Sequence, residues 1–135
     1  WRAKVIGDDP RPYHKKYHKN LEYTGWITHK QTLSIFSKAA IVTIPSLWEE
    51  PLGRTSIEAS SRGCATILSK SGGLVETNNN GIFLKNNSKN ELFKNIDELI
   101  INKKKRHTLM KNNLHNFKLT IKKTIYDTDK IYKGL

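Results

Sequence analysis

Two glutamates, Glu50 and Glu58, are the residues in this sequence whose type and spacing are best suited to chemistry. Seven residues separate them, including the turn formers Pro51 and Gly53. An ionised carboxylate accepts hydrogen bonds from two vicinal hydroxyl groups, and it also favours positive charge at a nearby reacting carbon. The pair therefore predicts a site for a ligand with many hydroxyl groups.

Phosphate binding is predicted for the turn between the two glutamates. Gly53 allows a ligand to approach the backbone closely, and a helix is expected to begin near Thr55 or Ser56. The unpaired N–H groups and the dipole of a helix N-terminus attract phosphate. Gly72 and Gly73 could present further backbone N–H groups, and Arg54 is a candidate phosphate contact.

Each glutamate also has an ordinary explanation. Glu58 could be a first-turn glutamate that complements the helix dipole, and Glu50 could be a solvated loop acid. If each glutamate is considered alone, its ordinary explanation is the better one. Pro51, Gly53 and the Gly72-Gly73 pair support the interpretation as a site.

The elements that must position these residues alternate between strands and helices. Two capping boxes, Thr28 with Gln31 and Ser88 with Glu91, mark helix starts. Strands are predicted at 3–6, 21–24, 41–44, 65–68 and 81–84, and helices at 10–20, from 28, from 55 or 56 to 63, near 75–76, from 88, and once or twice beyond 103.

This alternation predicts an α/β fold, with a Rossmann-like parallel sheet covered by helices on both faces. In such sheets, ligands bind at the carboxyl ends of the strands. Three loops are expected to leave strands at that edge: the turn after Ile44, Gly25-Trp26, and Ser71-Gly72-Gly73. We expect these loops to form one cleft.

Composition is consistent with one domain of 135 residues that carries a net charge of +12. Residues 85–135 hold thirteen basic and five acidic side chains. A basic surface suggests phosphate-bearing partners, but abundant Lys, Asn and Ile can equally reflect a coding bias. Nucleic acid is disfavoured because no aromatic platform interleaves with the lysines. An anionic membrane surface is a candidate partner for the tail and for residues 10–19.

The remaining composition sets further expectations. Cys64 is the single cysteine and is predicted to be a small buried thiol in an intracellular protein. No apolar run is long enough to span a membrane, and no signal peptide is visible, so we expect a cytoplasmic protein, peripheral on the inner face of a membrane at most. The histidines form no metal-like cluster, so zinc is disfavoured. The start at Trp1 suggests a piece of a longer protein.

The central segment resembles the donor-binding half of retaining glycosyltransferases of the GT-B type, in the large family 4 group. The similarity rests on Pro45-Ser46, Trp48-Glu49-Glu50-Pro51-Leu52-Gly53, Glu58-Ala59, Gly63, Ser71-Gly72-Gly73-Leu74 and Glu76. It extends more weakly from Ala3 to about Leu99. Paired glutamates with this spacing are weak evidence alone, but they are specific between a strand, a turn and a helix.

The resemblance implies a role for each residue of the site. Glu58 would hold the ribose hydroxyls, and Glu50 would act as the catalytic contact near the third hydroxyl of the transferred sugar. Gly25 matches a glycine beside the base. The backbone N–H groups of Leu52, Gly53 and Arg54 would reach sugar and phosphate oxygens. The side chains of Trp26 and Ile27 would border the base.

The same resemblance implies the reaction. A nucleotide-diphospho-sugar would donate its sugar, with retained anomeric configuration and without an obligatory metal or other cofactor. The acceptor would be a glycan, a lipid-linked molecule or a small molecule. Residues 1–135 would form the C-terminal, donor-binding domain. The Arg and Lys that clamp the diphosphate in this family, and the acceptor-binding half, would lie upstream.

Other functions remain open. The chain could be a catalytically inactive sugar-nucleotide-binding module, or a basic module for membrane or nucleic acid. A dinucleotide-binding dehydrogenase half is excluded by its first turn, because Gly7-Asp8-Asp9-Pro10 is not a G-x-G-x-x-G loop.

Overall fold

The computed structural model describes residues 1–7 and 18–134. The chain divides into two units, Trp1–Ile35 and Phe36–Leu135. The short helix predicted within 10–20 falls mostly outside the described residues, as does most of the segment 10–19 that suggested membrane contact, including Tyr13, His14, Lys15, Lys16 and Tyr17.

The first unit contains a pair of short parallel strands. Strand β1 (Ala3–Val5) pairs with β2 (Leu21–Tyr23), with Ala3 opposite Leu21. Helix α1 (His29–Phe36) follows. The capping box predicted at its start is present: Thr28 N–H donates to Gln31 Oε1 at 2.8 Å, and Gln31 N–H donates to Thr28 Oγ1 at 3.3 Å. Two orphan donors at the helix start are thereby satisfied.

The second unit is built on a three-stranded parallel sheet with the order β3-β4-β5. These strands are Ile41–Ile44, Ala65–Leu68 and Ile82–Phe83. The helices are α2 (Arg54–Ser61), α3 (Leu74–Thr77), α4 (Lys89–Ile101), α5 (Lys103–His115) and α6 (Ile121–Lys133). All four residues of β4 are buried, because elements cover both of its faces. The predicted α/β, Rossmann-like arrangement is thereby confirmed.

The core of this unit lies between the sheet and helices α4 and α5. Its buried centre is formed by Ala65, Ile67, Leu84 and Leu99, with Leu92, Ile96, Leu109 and Met110 packed against it. Leu92, Ile96 and Leu99 recur at helical spacing on α4, and Leu109 and Met110 lie on α5, so each helix turns an apolar face to the core. Helix α6 differs, since Ile121 and Ile125 on it are 81% and 63% exposed.

The second predicted capping box forms only in part. Glu91 N–H donates to Ser88 Oγ at 3.2 Å, which caps α4 as expected. The Glu91 carboxylate, however, does not bond back to Ser88. It accepts from the N–H groups of Asn86 at 2.9 Å and Lys85 at 2.7 Å, so it closes the preceding turn instead.

Within the described ranges, no helix is long and apolar enough to cross a bilayer. The predicted burial of Cys64 is confirmed, since the side chain is fully buried and its Sγ lies 3.1 Å from the carbonyl oxygen of Phe36. Burial raises the pKa of the Cys64 thiol to about 11.

Candidate functional site

The turn that connects β3 to α2 carries the two glutamates. Strand β3 ends at Ile44, and helix α2 begins at Arg54, close to the predicted start. Glu50 lies in the turn, while Glu58 lies on the second turn of the helix with 18% of its side chain exposed. Both residues therefore follow the carboxyl end of a sheet strand, which is where ligands bind in this class of fold.

Two donors hold the carboxylate of Glu50. Ser46 Oγ donates to Glu50 Oε1 at 2.6 Å, and Trp48 Nε1 donates to the same oxygen at 3.1 Å. Hydrogen bonds to an ionised acceptor are short and strong, so they orient the group. Glu50 is thus a positioned acid rather than a freely rotating loop side chain, and its second oxygen is not used by these two donors.

The start of α2 offers backbone donors. Gly53 occupies the N-cap with φ 71°, in the left-handed region, and no side chain caps the helix. A helix leaves the N–H groups of its first turn without intrahelical partners. Ser56 N–H donates to the carbonyl oxygen of Gly53 at 2.9 Å, so the N–H groups of Arg54 and Thr55 are the first-turn donors that could meet an anion at the place predicted for phosphate.

Gly72 and Gly73 pack directly on the backbone of the Glu50 turn. Gly72 has φ 52°, and a Cβ on it would lie 2.8 Å from the amide nitrogen of Glu50 and closer still to its carbonyl oxygen. A Cβ on Gly73 would lie 2.7 Å from the Cα of Leu52. Only glycine permits this approach, so the structure brings the two predicted loops together.

One of these glycines is not free to bind a ligand through its amide. Gly73 N–H donates to the carbonyl oxygen of Glu50 at 2.7 Å. The expectation that it presents its N–H group to a ligand is therefore wrong, because that donor already closes the contact between the two loops.

Arg54 and Leu52 both reach solvent beside the turn. The Arg54 guanidinium lies 3.8 Å from Glu58 Oε1, one helical turn away, and 75% of its side chain is exposed. Leu52 is 51% exposed. An exposed pair at this distance contributes little to stability, so the guanidinium can turn toward another anion at small cost.

The residues predicted to border the base belong to the first unit. Gly25 follows β2 with φ 62°, and its carbonyl oxygen accepts from Gly7 N–H at 3.1 Å. Trp26 is 84% exposed, whereas Ile27 is partly covered. An exposed indole face can stack on a planar base. That these residues share a cleft with Glu50 and Glu58 stays a prediction.

Sequence reasoning missed the residues that support the Glu50 turn. Ser71 Oγ donates to the carbonyl oxygen of Ser46 at 3.1 Å, and Asn87 Nδ2 donates to the same oxygen at 2.9 Å. Asn87 itself has φ 55°, and its Oδ1 is buried without a partner among the described residues. Its position after β5 is the one signal that could have indicated it, since that loop leaves the same edge of the sheet.

Metal ligands do not gather in the described part of the chain: no group of three or more His, Cys, Asp or Glu side chains could hold an ion there.

Comparison with solved structures shows the same fold. HepE of Anabaena, in its complex with UDP, aligns with a TM-score of 0.76 at 20% identity, covering 86% of this chain and 33% of that one. Sucrose-phosphate synthase from Thermosynechococcus elongatus aligns with a TM-score of 0.79 at 21% identity, covering 97% of this chain and 37% of that one. The chain thus spans about a third of the length of each.

Further comparisons concern sequence. No curated protein matches the sequence significantly. The model of the family described as glycosyl transferases group 1 matches residues 9–115, which is most of the chain and includes the whole Glu50–Glu58 segment. On this match the chain belongs to the glycosyl transferases group 1 family, and its fold is that of the GT-B glycosyltransferases.

Proposed function

We propose that this chain is the donor-binding, C-terminal domain of a retaining glycosyltransferase that uses a nucleotide-diphospho-sugar. One observation carries the proposal. A carboxylate held by two donors, at Glu50, is followed at once by an uncapped helix start at Gly53. Such a pair suits a ligand with hydroxyl groups next to phosphate.

The proposed roles follow the contacts of each residue. Glu50 contacts the transferred sugar through the carboxylate oxygen that Ser46 and Trp48 leave unused. Glu58, which is mostly buried, accepts from the ribose hydroxyls. The N–H groups of Leu52, Gly53 and Arg54 approach sugar and phosphate oxygens. Gly72 and Gly73 support this turn, and Gly25, Trp26 and Ile27 border the base.

The proposed reaction transfers a hexose with retention of configuration. The bond between the anomeric carbon and the diphosphate oxygen breaks, and a bond to the acceptor oxygen forms on the same face of the sugar. The acceptor proton passes to an oxygen of the leaving diphosphate. Glu50 would stabilise positive charge at the anomeric carbon. No metal or other cofactor is required in this scheme, and the diphosphate-clamping cations and the acceptor site would belong to an upstream domain.

The donor sugar is the least determined part of the proposal. HepE of Anabaena has been solved with UDP, with UDP-glucose, and with UDP and glucose, so UDP-glucose is the first ligand to test, followed by GDP- and ADP-sugars. The acceptor would be a glycan, a lipid-linked molecule or a small molecule.

Calorimetric titration with UDP and with UDP-glucose tests the assignment. We expect Glu58→Ala to lower the affinity for both ligands by about tenfold or more, because both carry the ribose. Glu50→Ala should weaken UDP-glucose and leave UDP unchanged. Glu49→Ala, which changes the exposed neighbour of Glu50, is the matched control and should bind like the unchanged chain. If no nucleotide sugar binds at millimolar concentration, or if all three variants behave alike, the assignment is wrong.

A cytoplasmic, peripheral position at an anionic membrane is part of the proposal. Helix α6 supports it, because Ile121 and Ile125 are exposed and lysines such as Lys122 and Lys130 lie on the same helix. Co-sedimentation with liposomes tests it: binding should require anionic lipid and decrease with salt. Equal binding to neutral liposomes would contradict it.

A further inference from the structure

A cleft lies at the end of the three-stranded sheet opposite to the Glu50 turn. It has a volume of about 150 Å³ and is bounded by the segment after α3, the end of α5 and the connection to α6. Its floor meets the amino end of β4, because Asn78 and Asn113 both bond to Thr66 there. The Glu50 turn follows the carboxyl end of β3, so the two sites are separate.

Five of the eleven residues that line the cleft are asparagines, and hydrogen bonds hold several of their side chains. Asn78 Nδ2 donates to Ser60 Oγ and Thr66 Oγ1, both at 2.8 Å. Asn80 N–H donates to Asn78 Oδ1 at 2.9 Å, and Asn116 Nδ2 donates to Asn80 Oδ1 at 3.1 Å. These bonds fix the amide orientations, so the cleft is a preorganised set of donors and acceptors.

Asn113 lines this cleft and carries an unsatisfied acceptor. The residue is 1% exposed, and its Nδ2 donates to the carbonyl oxygen of Cys64 at 2.6 Å and to Thr66 Oγ1 at 3.2 Å. Its Oδ1 is buried and has no partner among the described residues. Less than 1 Å² of this oxygen is accessible, so it lies beneath the surface of the cleft, and a ligand would contact the side chains around it instead.

The accessible lining of the cleft indicates the chemical class of a ligand. Half-buried Phe117 supplies an apolar ring, while Glu76 and Lys118 contribute opposite charges that balance. A ligand that is neutral, carries several hydroxyl groups and has an apolar face matches such a lining, because each hydroxyl both donates and accepts. The volume of about 150 Å³ limits the occupant to a small ligand, such as one sugar ring.

We propose that this asparagine-lined cleft binds one pyranose unit of a neutral saccharide. Its hydroxyls bond to the side-chain amides of Asn80 and Asn116, and the ring packs on Phe117. The cleft would hold a glycan on the face of the domain opposite the donor turn. The inference does not depend on the donor site, and saccharide binding should need no nucleotide.

NMR titration of the full 135-residue chain tests this proposal. Methyl glucoside, methyl mannoside, methyl galactoside and N-acetylglucosamine are added in turn at millimolar concentration. At least one should shift the side-chain amide signals of Asn113 and Asn116 saturably and leave the backbone signals of Gly53 and Gly72 unmoved. Asn116→Ala and Phe117→Leu should each lower the affinity for that sugar about fivefold or more.

The matched control is Asn112→Ala, which changes an exposed asparagine next to Asn113 on α5 but outside the cleft. It should bind as tightly as the unchanged chain. The amide spectrum of each variant shows whether it remains folded, and Asn116 and Phe117 are tested separately so that one failure to fold leaves the other informative. The proposal is overturned if no sugar shifts the Asn116 signals, or if inorganic phosphate shifts them equally.

Discussion

Ser46 donates its hydroxyl hydrogen to Oε1 of Glu50 at 2.6 Å, four residues later in the same turn. Trp48 donates to that oxygen as well, at 3.1 Å. Both donors come from the segment that leads out of β3, so the turn orients its own carboxylate. The carboxylate proposed to read the sugar is therefore set before any ligand arrives, and this preorganisation can be measured.

Ser46→Ala should lower the affinity for a nucleotide sugar while preserving the affinity for the nucleotide alone. The lost hydrogen bond to a charged acceptor corresponds to about 1.5–3 kcal/mol, or roughly tenfold or more in Kd. Calorimetry with UDP-glucose and UDP on the same preparation provides the comparison, with UDP as the internal control. Equal weakening of both ligands would show that the hydroxyl supports the turn rather than the carboxylate.

Gly72→Ala should destabilise the chain more than Gly25→Ala does. Both glycines have positive φ, 52° and 62°, but a Cβ at Gly25 meets nothing within 4 Å, whereas one at Gly72 meets the backbone of Glu50. Gly25→Ala therefore carries the conformational cost alone, about 1–2 kcal/mol. Gly72→Ala adds a steric clash of about 1–3 kcal/mol. Urea unfolding of the two variants compares them, and equal losses would contradict the close packing of the loops.

Arg54→Ala should change stability by less than about 0.5 kcal/mol, because its 3.8 Å pair with Glu58 is largely exposed. If the guanidinium turns to phosphate on binding, the variant should bind UDP more weakly and with a smaller salt dependence, while uridine binding stays unchanged. Titrations at two salt concentrations measure this. Unchanged UDP binding would remove Arg54 from the site.

Cys64 should resist alkylation in the folded chain. Burial raises the pKa of its thiol from 9.0 to about 11, so little reactive thiolate forms at pH 8. Iodoacetamide should modify the thiol only in urea. The same shift has a consequence for stability: the unfolded thiol ionises first as pH rises, so the contribution is complete below pH 9 and is lost between about pH 9 and 11. Rapid labelling of the native chain at pH 8 would contradict the burial.

Glu91→Gln should destabilise the chain at neutral pH and should have less effect on its stability in acid. The N–H groups of Asn86 and Lys85 hold the pKa of the Glu91 carboxyl below its ordinary value of 4.5. A lowered pKa in the folded state gives stability that is present above 4.5 and is lost as pH falls through the folded value. The unfolding midpoints of Glu91→Gln and of the unchanged chain should therefore differ at pH 7, and the difference should shrink as the pH falls below 4.5.

Local sequence rules predicted the contacts that lie within one turn of helix. The Thr28–Gln31 capping box formed in full because both partners are three residues apart and face each other by helix geometry. The Ser88–Glu91 pair formed only half, since the N–H groups of residues 85 and 86 compete for the same carboxylate. Local spacing does not show such a competitor.

Contacts between distant segments were beyond the sequence pattern. It indicated that Gly72 and Gly73 belong to the site, but not that the Gly73 amide is used by Glu50. Nor did it show that Asn87, forty-one residues after Ser46, bonds to the carbonyl oxygen of Ser46. These bonds depend on which loops the sheet brings to one edge, and that is set by tertiary packing.

Gly73 N–H donates to the carbonyl oxygen of Glu50, so residues 46–53 and 71–73 should be changed together, both in evolution and in protein engineering. Suppose that the first segment alone is replaced by that of a relative with another sugar preference. The new backbone would then have to fit against Gly72 and Gly73, which pack closely on the original one. Chimeras that exchange both segments together should fold and acquire the new preference, whereas chimeras with one segment should lose stability first. Under the proposed function, donor preference would depend on both loops, which would have to change together.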